Sequence, residues 1–218
     1  MPNTLIAFGC SFTYGDELLD PNIKPGEPCN SRHNDSYRNS HCYAGIVAEH
    51  YGLDFVNTAF PGASLESMRY TLYWVMNNLD VNNCIFIVGM TNAGRNSYYN
   101  ARSENQDWNR HIHGTWLDNK NNDFATMHKL WLANSNDQHW IQFNSAQTVG
   151  YFDSTGVPTV FLPVWSYDPF INGKYVADFV LEPCLQPDQF APMGHPNESG
   201  HKMIAQRLIS YIDRVKLF

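Results

Sequence analysis

The chain has 218 residues, 43% of them hydrophobic, which is enough for one domain with a sizeable core. Its formal net charge of −7, with only 14 lysines and arginines, argues against a protein that binds nucleic acid by neutralising phosphates. No apolar run reaches the length of about 18 residues that a transmembrane helix needs, and the first residues lack the regions of a signal peptide.

Short apolar runs alternate with helical patterns along the chain. Predicted strands cover residues 4–8, 54–57, 84–89 and 158–162. Predicted helices cover residues 43–51, 64–79, 139–154 and 198–215. This alternation predicts a three-layer α/β/α sandwich with a parallel, doubly wound, flavodoxin-like sheet, in which functional groups gather at the carboxyl ends of the strands.

Two parts of the chain depart from this alternation. Residues 16–39 are rich in Pro, Asn and Gly, which is typical of a long surface loop. Residues 91–137 are rich in Asn, Trp, Tyr and His with weak periodicity, and we interpret them as an insertion that is partly helical around residues 123–133. We therefore expect a single domain over residues 1–218 that carries this insertion and uses it as a wall of the substrate cleft.

The helix predicted over residues 139–154 has a mixed pattern. Its large apolar side chains are expected to face inward, and they are Trp140, Phe143, Ala146 and Tyr151. In the last helix, His201 shares a face with Ile204 and Leu208, which favours a buried histidine over an exposed one.

The first predicted strand ends in a turn that holds a candidate nucleophile. Ser11 follows Gly9 and Cys10 directly after the strand. A serine nucleophile needs an exposed hydroxyl on a rigid turn with backbone N–H groups nearby. A serine at this position can equally be the N-cap of a helix, so both interpretations stay open.

The loops after the second and third strands could supply hydrogen-bond donors. Gly62 lets the backbone approach a ligand and present its N–H group. Thr91 and Asn92 offer neutral donors that suit an oxyanion hole. Arg95 could hold an acidic substrate, or it could form a structural salt bridge or bond loop carbonyls.

A histidine precedes the last predicted helix. His195 is followed by Pro196, which favours an extended turn able to present the imidazole to the site. Either Asn197 or Ser199 is expected to cap the helix.

Four segments in this order carry a family resemblance. They are residues 9–13, Gly62, residues 89–92 and residues 195–201. Together they resemble the sequence blocks of the SGNH hydrolase superfamily, also called the GDSL lipase/esterase family, over residues 4–95 and 158–215. The opening block also resembles SGNH-like proteins of phages.

The resemblance implies an ester hydrolase. Ser11 matches the family's nucleophile and His195 its general base, with the N–H groups of Ser11 and Gly62 in the oxyanion hole. The chain departs from the family pattern at Thr91, where the family has Asn, so that either Thr91 or Asn92 could complete the hole.

The second departure concerns the third member of the triad. The family tends to have Asp three residues before the histidine, where this chain has Pro192. Three arrangements follow: a Ser–His dyad, an imidazole oriented by a main-chain carbonyl, or Asp188 reaching the histidine if the loop folds back.

Nothing in the sequence indicates a cofactor. The chain has five cysteines and no C-x-x-C pair, which indicates neither a disulfide framework nor a zinc site. His111 and His113 alternate without an evident third ligand, and no Gly-rich phosphate loop occurs. We therefore predict no cofactor and no metal.

Two functions remain open. The first is a serine esterase acting on a small-molecule or glycan ester, with an O-acetylated sugar suggested by the aromatic, amide-rich insertion and by the family. The second is a non-catalytic glycan-binding or structural module on the same fold. In either case we expect no nucleic-acid or membrane partner, and a protein of the cytoplasm or of a phage particle.

Overall fold

A computed structural model describes residues 2–24, 26–93, 95–99, 108–112, 137–166 and 170–217. The strands are β1 (Thr4–Phe8), β2 (Asp54–Asn57), β3 (Cys84–Met90), β4 (Asn96–Tyr99), β5 (Trp108–Ile112), β6 (Thr159–Pro163) and β7 (Tyr175–Val176). The α-helices are α1 (Ser11–Tyr14), α2 (Asp35–His41), α3 (Tyr43–His50), α4 (Leu65–Asn78), α5 (Asp137–Asp153) and α6 (Glu198–Val215).

The central sheet has five parallel strands in the order β2-β1-β3-β6-β7. Every residue of β3 and β6 is buried, because a parallel sheet is covered on both faces. Helices α3 and α6 pack against each other in one layer, and α4 and α5 pack together in another. The predicted α/β/α sandwich with a parallel sheet is confirmed, including all four predicted strands.

Several of the described elements were not predicted from the sequence. β7 has only two residues, too few for a hydrophobic pattern. Helix α2 begins inside the stretch predicted as a loop and extends two residues beyond it, and its one buried side chain is Arg38. Strands β4 and β5 form a separate antiparallel pair within the predicted insertion. The helix predicted around residues 123–133 lies outside the described residues.

The inward face of α5 differs from the prediction. Phe143 is 55% exposed and Tyr151 is 46% exposed, whereas Asn144 and Thr148 are buried. The polar pair is buried because it binds Arg69 of α4: Nη1 of Arg69 donates to Asn144 Oδ1 at 2.7 Å and to Thr148 Oγ1 at 2.6 Å. A half-buried cation with its own acceptors outweighs the hydrophobic pattern here.

Two glycines at the strand ends make room for α1. Thr13 of α1 is fully buried, and its Oγ1 lies 2.8 Å from the hydroxyl oxygen of Tyr43. A Cβ atom on Gly9 or on Gly89 would lie 2.1 Å from Thr13 Oγ1, far inside van der Waals contact. These glycines therefore allow the helix that begins with Ser11 to sit directly on the ends of β1 and β3.

Within the described ranges, no helix combines the length and the apolar character needed to span a bilayer.

Candidate active site

Ser11 is the first residue of α1, immediately beyond the carboxyl end of β1. The N-cap of this helix is Cys10, so Ser11 does not occupy the capping position. Its side chain is largely buried, and within the described part of the chain its hydroxyl has no hydrogen-bond partner. The hydroxyl is therefore available to a ligand, as a nucleophile requires.

His195 lies in the loop before α6 and reaches back towards α1. Its imidazole packs edge-on against Phe12, the residue after Ser11, with 5.5 Å between ring centroids. The loop is held by an antiparallel bridge between Phe190 and Pro196 and by the N-cap Asn197, which accepts from Gly200. Among the described residues no hydrogen bond joins Ser11 directly to His195, although the two belong to adjoining parts of one site.

The partner of the His195 ring is Glu17. Oε2 of Glu17 lies 2.9 Å from Nδ1 of His195 and accepts the backbone N–H of the same residue at 3.0 Å. The other oxygen, Oε1, accepts the backbone N–H of Met193 at 2.8 Å. The carboxylate thus fixes both the ring and the loop that carries it, with only 8% of its side chain exposed.

Glu17 adopts an unusual backbone conformation. Its φ angle of 68° lies in the left-handed region, which a residue with a long side chain seldom occupies. Such strain persists where surrounding interactions enforce it, and it is concentrated at functional sites. Three hydrogen bonds from the His195 loop supply those interactions.

Glu17 takes the position considered above for Asp188. The Asp188 side chain is exposed, and its backbone carbonyl accepts from the Asn197 side chain at 2.8 Å. Neither a dyad nor a main-chain carbonyl describes the surroundings of Nδ1, because a carboxylate occupies that side of the ring. Sequence reasoning missed Glu17 because it lies 178 positions before His195; its one signal was an acidic residue close after the candidate nucleophile.

A second carboxylate approaches the opposite side of the imidazole. Oδ2 of Asp16 lies 3.9 Å from Nε2 of His195, beyond hydrogen-bond length. The other oxygen of Asp16 accepts from the Cys29 thiol at 3.3 Å. Carboxyl groups thus lie near both ring nitrogens of His195, in hydrogen-bond contact at Nδ1 and farther away at Nε2.

The candidate oxyanion donors surround the end of β1. Gly62 has a φ angle of 79° in the turn before α4, a conformation that suits glycine. Within the described part of the chain, no backbone carbonyl accepts the amide N–H of Ser11 or of Gly62. Thr91 is buried and Asn92 is exposed, and both remain predicted contributors.

Arg95 contacts the aromatic side chains of the site. Its guanidinium carbon lies 5.7 Å from the ring centroid of Trp165, on the loop after β6. Trp165 in turn packs against Phe12 with ring centroids 4.5 Å apart. The rings of Trp165 and Phe12 thus connect Arg95 with Ser11, the neighbour of Phe12 in the chain, and with His195, which packs against Phe12.

His201 is fully buried, as predicted, and is neutral. Nδ1 of His201 accepts the backbone N–H of Tyr43 at 3.1 Å, at the first turn of α3. Burial, with a smaller contribution from the charge of nearby His195, lowers the pKa of His201 from 6.5 to about 3. His201 therefore supports α3 in its neutral form and is not the general base.

This histidine should make the protein sensitive to acid. Below pH 6.5 the unfolded chain protonates His201, whereas the folded chain does so only near pH 3, so stability is lost as pH falls through that window. We expect a contribution of about 2 kcal/mol to be lost between pH 8 and pH 5. The variant His201→Asn keeps an acceptor for the backbone N–H of Tyr43 but cannot titrate. In urea unfolding, its free energy of unfolding should therefore change less between pH 8 and pH 5 than that of the wild type. An equal difference in both proteins would contradict the assignment.

No group of three or more metal-ligating side chains occurs among the described residues, and His113 lies outside them.

Comparison with known proteins relates the chain by fold. No protein-family model and no curated protein matches it. A member of the lipolytic G-D-S-L family from Veillonella parvula matches with a TM-score of 0.53 and 13% identity, covering 97% of this chain and 98% of the other. The psychrotrophic esterase EstA from Pseudoalteromonas sp. matches with a TM-score of 0.54 and 8% identity, covering 98% of each chain.

A third match is a hydrolase from the metagenome of Lake Arreo, with a TM-score of 0.51 and 15% identity over 97% of this chain and 95% of that one. At such identities the likeness concerns the fold, and residue roles rest on the site geometry. The order of the sheet, its covering helices and these matches together show that the chain has the fold of the G-D-S-L, or SGNH, hydrolases.

Proposed function

We propose that this protein is a serine hydrolase of carboxylic esters. The observation that carries the proposal is the pairing of His195 Nδ1 with Glu17 at 2.9 Å, next to a serine on the turn after β1. A carboxylate at Nδ1 keeps the proton on that nitrogen, which leaves Nε2 unprotonated and able to act as a base. A neutral hydroxyl with no other partner is what such a base activates.

The reaction proceeds through an acyl-enzyme. Ser11 Oγ attacks the ester carbonyl carbon while its proton passes to Nε2 of His195. The negative charge on the carbonyl oxygen is stabilised by the N–H groups of Ser11 and Gly62, together with Thr91 or Asn92. The C–O bond to the alcohol then breaks, and the alcohol leaves with the proton from His195. Water, activated by the same nitrogen, releases the acid and restores Ser11.

The absence of a direct hydrogen bond between Ser11 and His195 favours the alternative function, a non-catalytic glycan-binding or structural module. Catalytic hydrogen bonds are often long without substrate and tighten in the Michaelis complex, so a serine that is not bonded to the histidine in the free protein is compatible with catalysis. The buried, strained carboxylate behind His195 argues for catalysis, because a binding module has no need to orient that imidazole.

The proposal is tested with a fluorophosphonate probe and p-nitrophenyl acetate. The wild-type protein should be labelled and should hydrolyse the ester, whereas Ser11→Ala should do neither at an unchanged melting temperature. Ser210→Ala is the matched control, since this exposed serine on α6 bonds only within its own helix. Labelling that persists in Ser11→Ala would overturn the nucleophile assignment, and no labelling of the wild type would favour the non-catalytic module.

The substrate proposed within this class is an O-acetyl group on a carbohydrate. Aromatic residues make up 14% of the chain and charged residues only 16%, a composition that suits contacts with sugars. Release of acetate from an acetylated oligosaccharide, compared with release from p-nitrophenyl acetate, tests this choice.

A further inference from the structure

Four polar atoms beside the proposed active site are buried without a partner. Within the described part of the chain, no hydrogen-bond acceptor reaches Nε or Nη1 of Arg95 or Nε1 of Trp165, and the hydroxyl of Thr91 has no partner either. Buried polar groups are nearly always hydrogen-bonded, because each unmatched group loses its bonds to water without compensation. Several such donors in one place indicate a ligand that supplies acceptors.

The three residues lie at one edge of the sheet. Thr91 directly follows β3, and Trp165 lies two residues beyond the end of β6. These strands are neighbours, with Met90 paired with Pro163, so both loops leave the sheet at the carboxyl edge where ligands of such sheets bind. The 5.7 Å contact between Arg95 and Trp165 brings the third residue to the same place.

The charge of Arg95 is not neutralised by any described side chain. The ion pairs of the described residues do not include it, although a guanidinium stays protonated at every physiological pH. The ring of Trp165 offsets part of the cost of burial through a cation–π contact, but it accepts no conventional hydrogen bond from Nε or Nη1. A ligand that offers acceptors to Nε and Nη1 of Arg95 therefore meets a positive charge that no described side chain neutralises, which favours an anionic group.

We infer that Arg95 and Trp165 form a subsite for a carboxylate group on the ester substrate, while Thr91 beside them stays a candidate for the oxyanion hole. This inference rests on the proposed esterase function and narrows its substrate to esters that also carry an ionised carboxyl group; among O-acetylated carbohydrates these are the esters of acidic sugars. Carboxylates match the donors of arginine, and two oxygens can accept from Arg95 and from the indole N–H together. The ring of Phe12 contacts both Trp165 and His195, so this subsite adjoins the proposed catalytic residues.

The test compares a neutral and an anionic ester with the same leaving group. The neutral probe is p-nitrophenyl acetate and the anionic probe is mono-p-nitrophenyl succinate. A second anionic ester, 4-acetoxybenzoate, has its charge on the alcohol part instead of the acyl part. We expect the wild type to have a higher kcat/KM for one of the anionic esters. In Arg95→Gln the ratio of anionic to neutral kcat/KM should fall by roughly tenfold or more, since a hydrogen bond to a charged group is lost. Arg95→Lys keeps the positive charge and should retain part of the preference for the anionic ester.

Two further variants keep the result interpretable. Arg207→Gln is the matched control, because Arg207 also contacts a ring, that of Phe179 at 5.8 Å, and its removal changes the net charge equally. For Arg207→Gln, the ratio of anionic to neutral kcat/KM should equal that of the wild type. Trp165→Phe keeps a ring against Phe12 but removes the indole N–H, and it should lower the ratio several-fold even if Arg95→Gln folds poorly.

Binding separates this inference from the proposed function. Ser11→Ala should bind mono-p-nitrophenyl succinate in calorimetry more tightly than the double variant Ser11→Ala/Arg95→Gln. If the wild type hydrolyses no ester but this difference is found, the subsite stands and the esterase function fails. If the wild type hydrolyses the esters and the ratio is the same in Arg95→Gln, the subsite is overturned and the esterase function stands.

Discussion

Glu17→Gln should lower kcat for ester hydrolysis by roughly 10³- to 10⁴-fold, the scale expected when the carboxylate of a catalytic triad is neutralised. Both oxygens of Glu17 accept hydrogen bonds: Oε1 from Met193 N, and Oε2 from the backbone and ring nitrogens of His195. The amide nitrogen of a glutamine would face an N–H group at either position. It would disrupt the loop contact or reverse the tautomer of His195, and either change removes the base at Nε2. Steady-state kinetics with p-nitrophenyl acetate measure the loss.

Glu17→Gly separates the chemical role from the structural one. Glycine accepts the φ angle of 68° without strain, so the backbone of this variant should keep its conformation while the carboxylate is absent. Added formate should then restore part of the activity by occupying the vacant position beside Nδ1. Asp188→Asn is the matched control, because the Asp188 side chain is exposed and only its backbone contacts the His195 loop. A hundredfold loss in Asp188→Asn with little loss in Glu17→Gln would return the triad role to Asp188.

The centre of the sheet was predictable because its three middle strands are buried on both faces. A strand in that position needs an unbroken apolar run, and β1, β3 and β6 each have one. Helix α5 was placed correctly but its buried face was not. Its inward polar residues bind Arg69, which belongs to another helix, so no pattern within residues 137–153 could reveal the arrangement.

The candidate residues could be recognised where they depend on local sequence. Ser11 follows Gly9 at the end of a predicted strand, and His195 stands before Pro196 and the helix cap Asn197. Glu17 could not be predicted as the partner of His195, because the two residues are 178 positions apart in the sequence and meet only in the folded chain. In the family that the sequence resembles, the triad carboxylate tends to lie shortly before the histidine; in the proposed site, the carboxylate that contacts His195 lies close after Ser11 instead.

The same dependence on distant contacts applies to the position of the nucleophile itself. Gly89→Ala should destabilise the protein by about 3 kcal/mol, at the upper end of the usual cost of overpacking, and should lower the esterase rate. The added Cβ would lie 2.1 Å from Thr13 Oγ1 and 3.1 Å from the Tyr43 hydroxyl oxygen. Thr13 is two residues beyond Ser11 in the same short helix, so relief of the clash should shift Ser11, the proposed nucleophile. Urea unfolding and p-nitrophenyl acetate kinetics measure the two effects.

A second substitution should reverse most of this effect. Thr13→Ala removes Oγ1. The Cβ of residue 13 then lies 3.5 Å from the Cβ added at residue 89, which is an ordinary contact. Thr13→Ala alone costs the hydrogen bond to Tyr43, about 1 kcal/mol, so the double variant should be more stable than Gly89→Ala. Gly9→Ala is the matched control: there the new Cβ also lies 2.5 Å from Thr13 Cβ, which Thr13→Ala retains, so no rescue is expected. Additive costs for Gly89→Ala and Thr13→Ala would show that Thr13 does not set the position of α1 through Gly89.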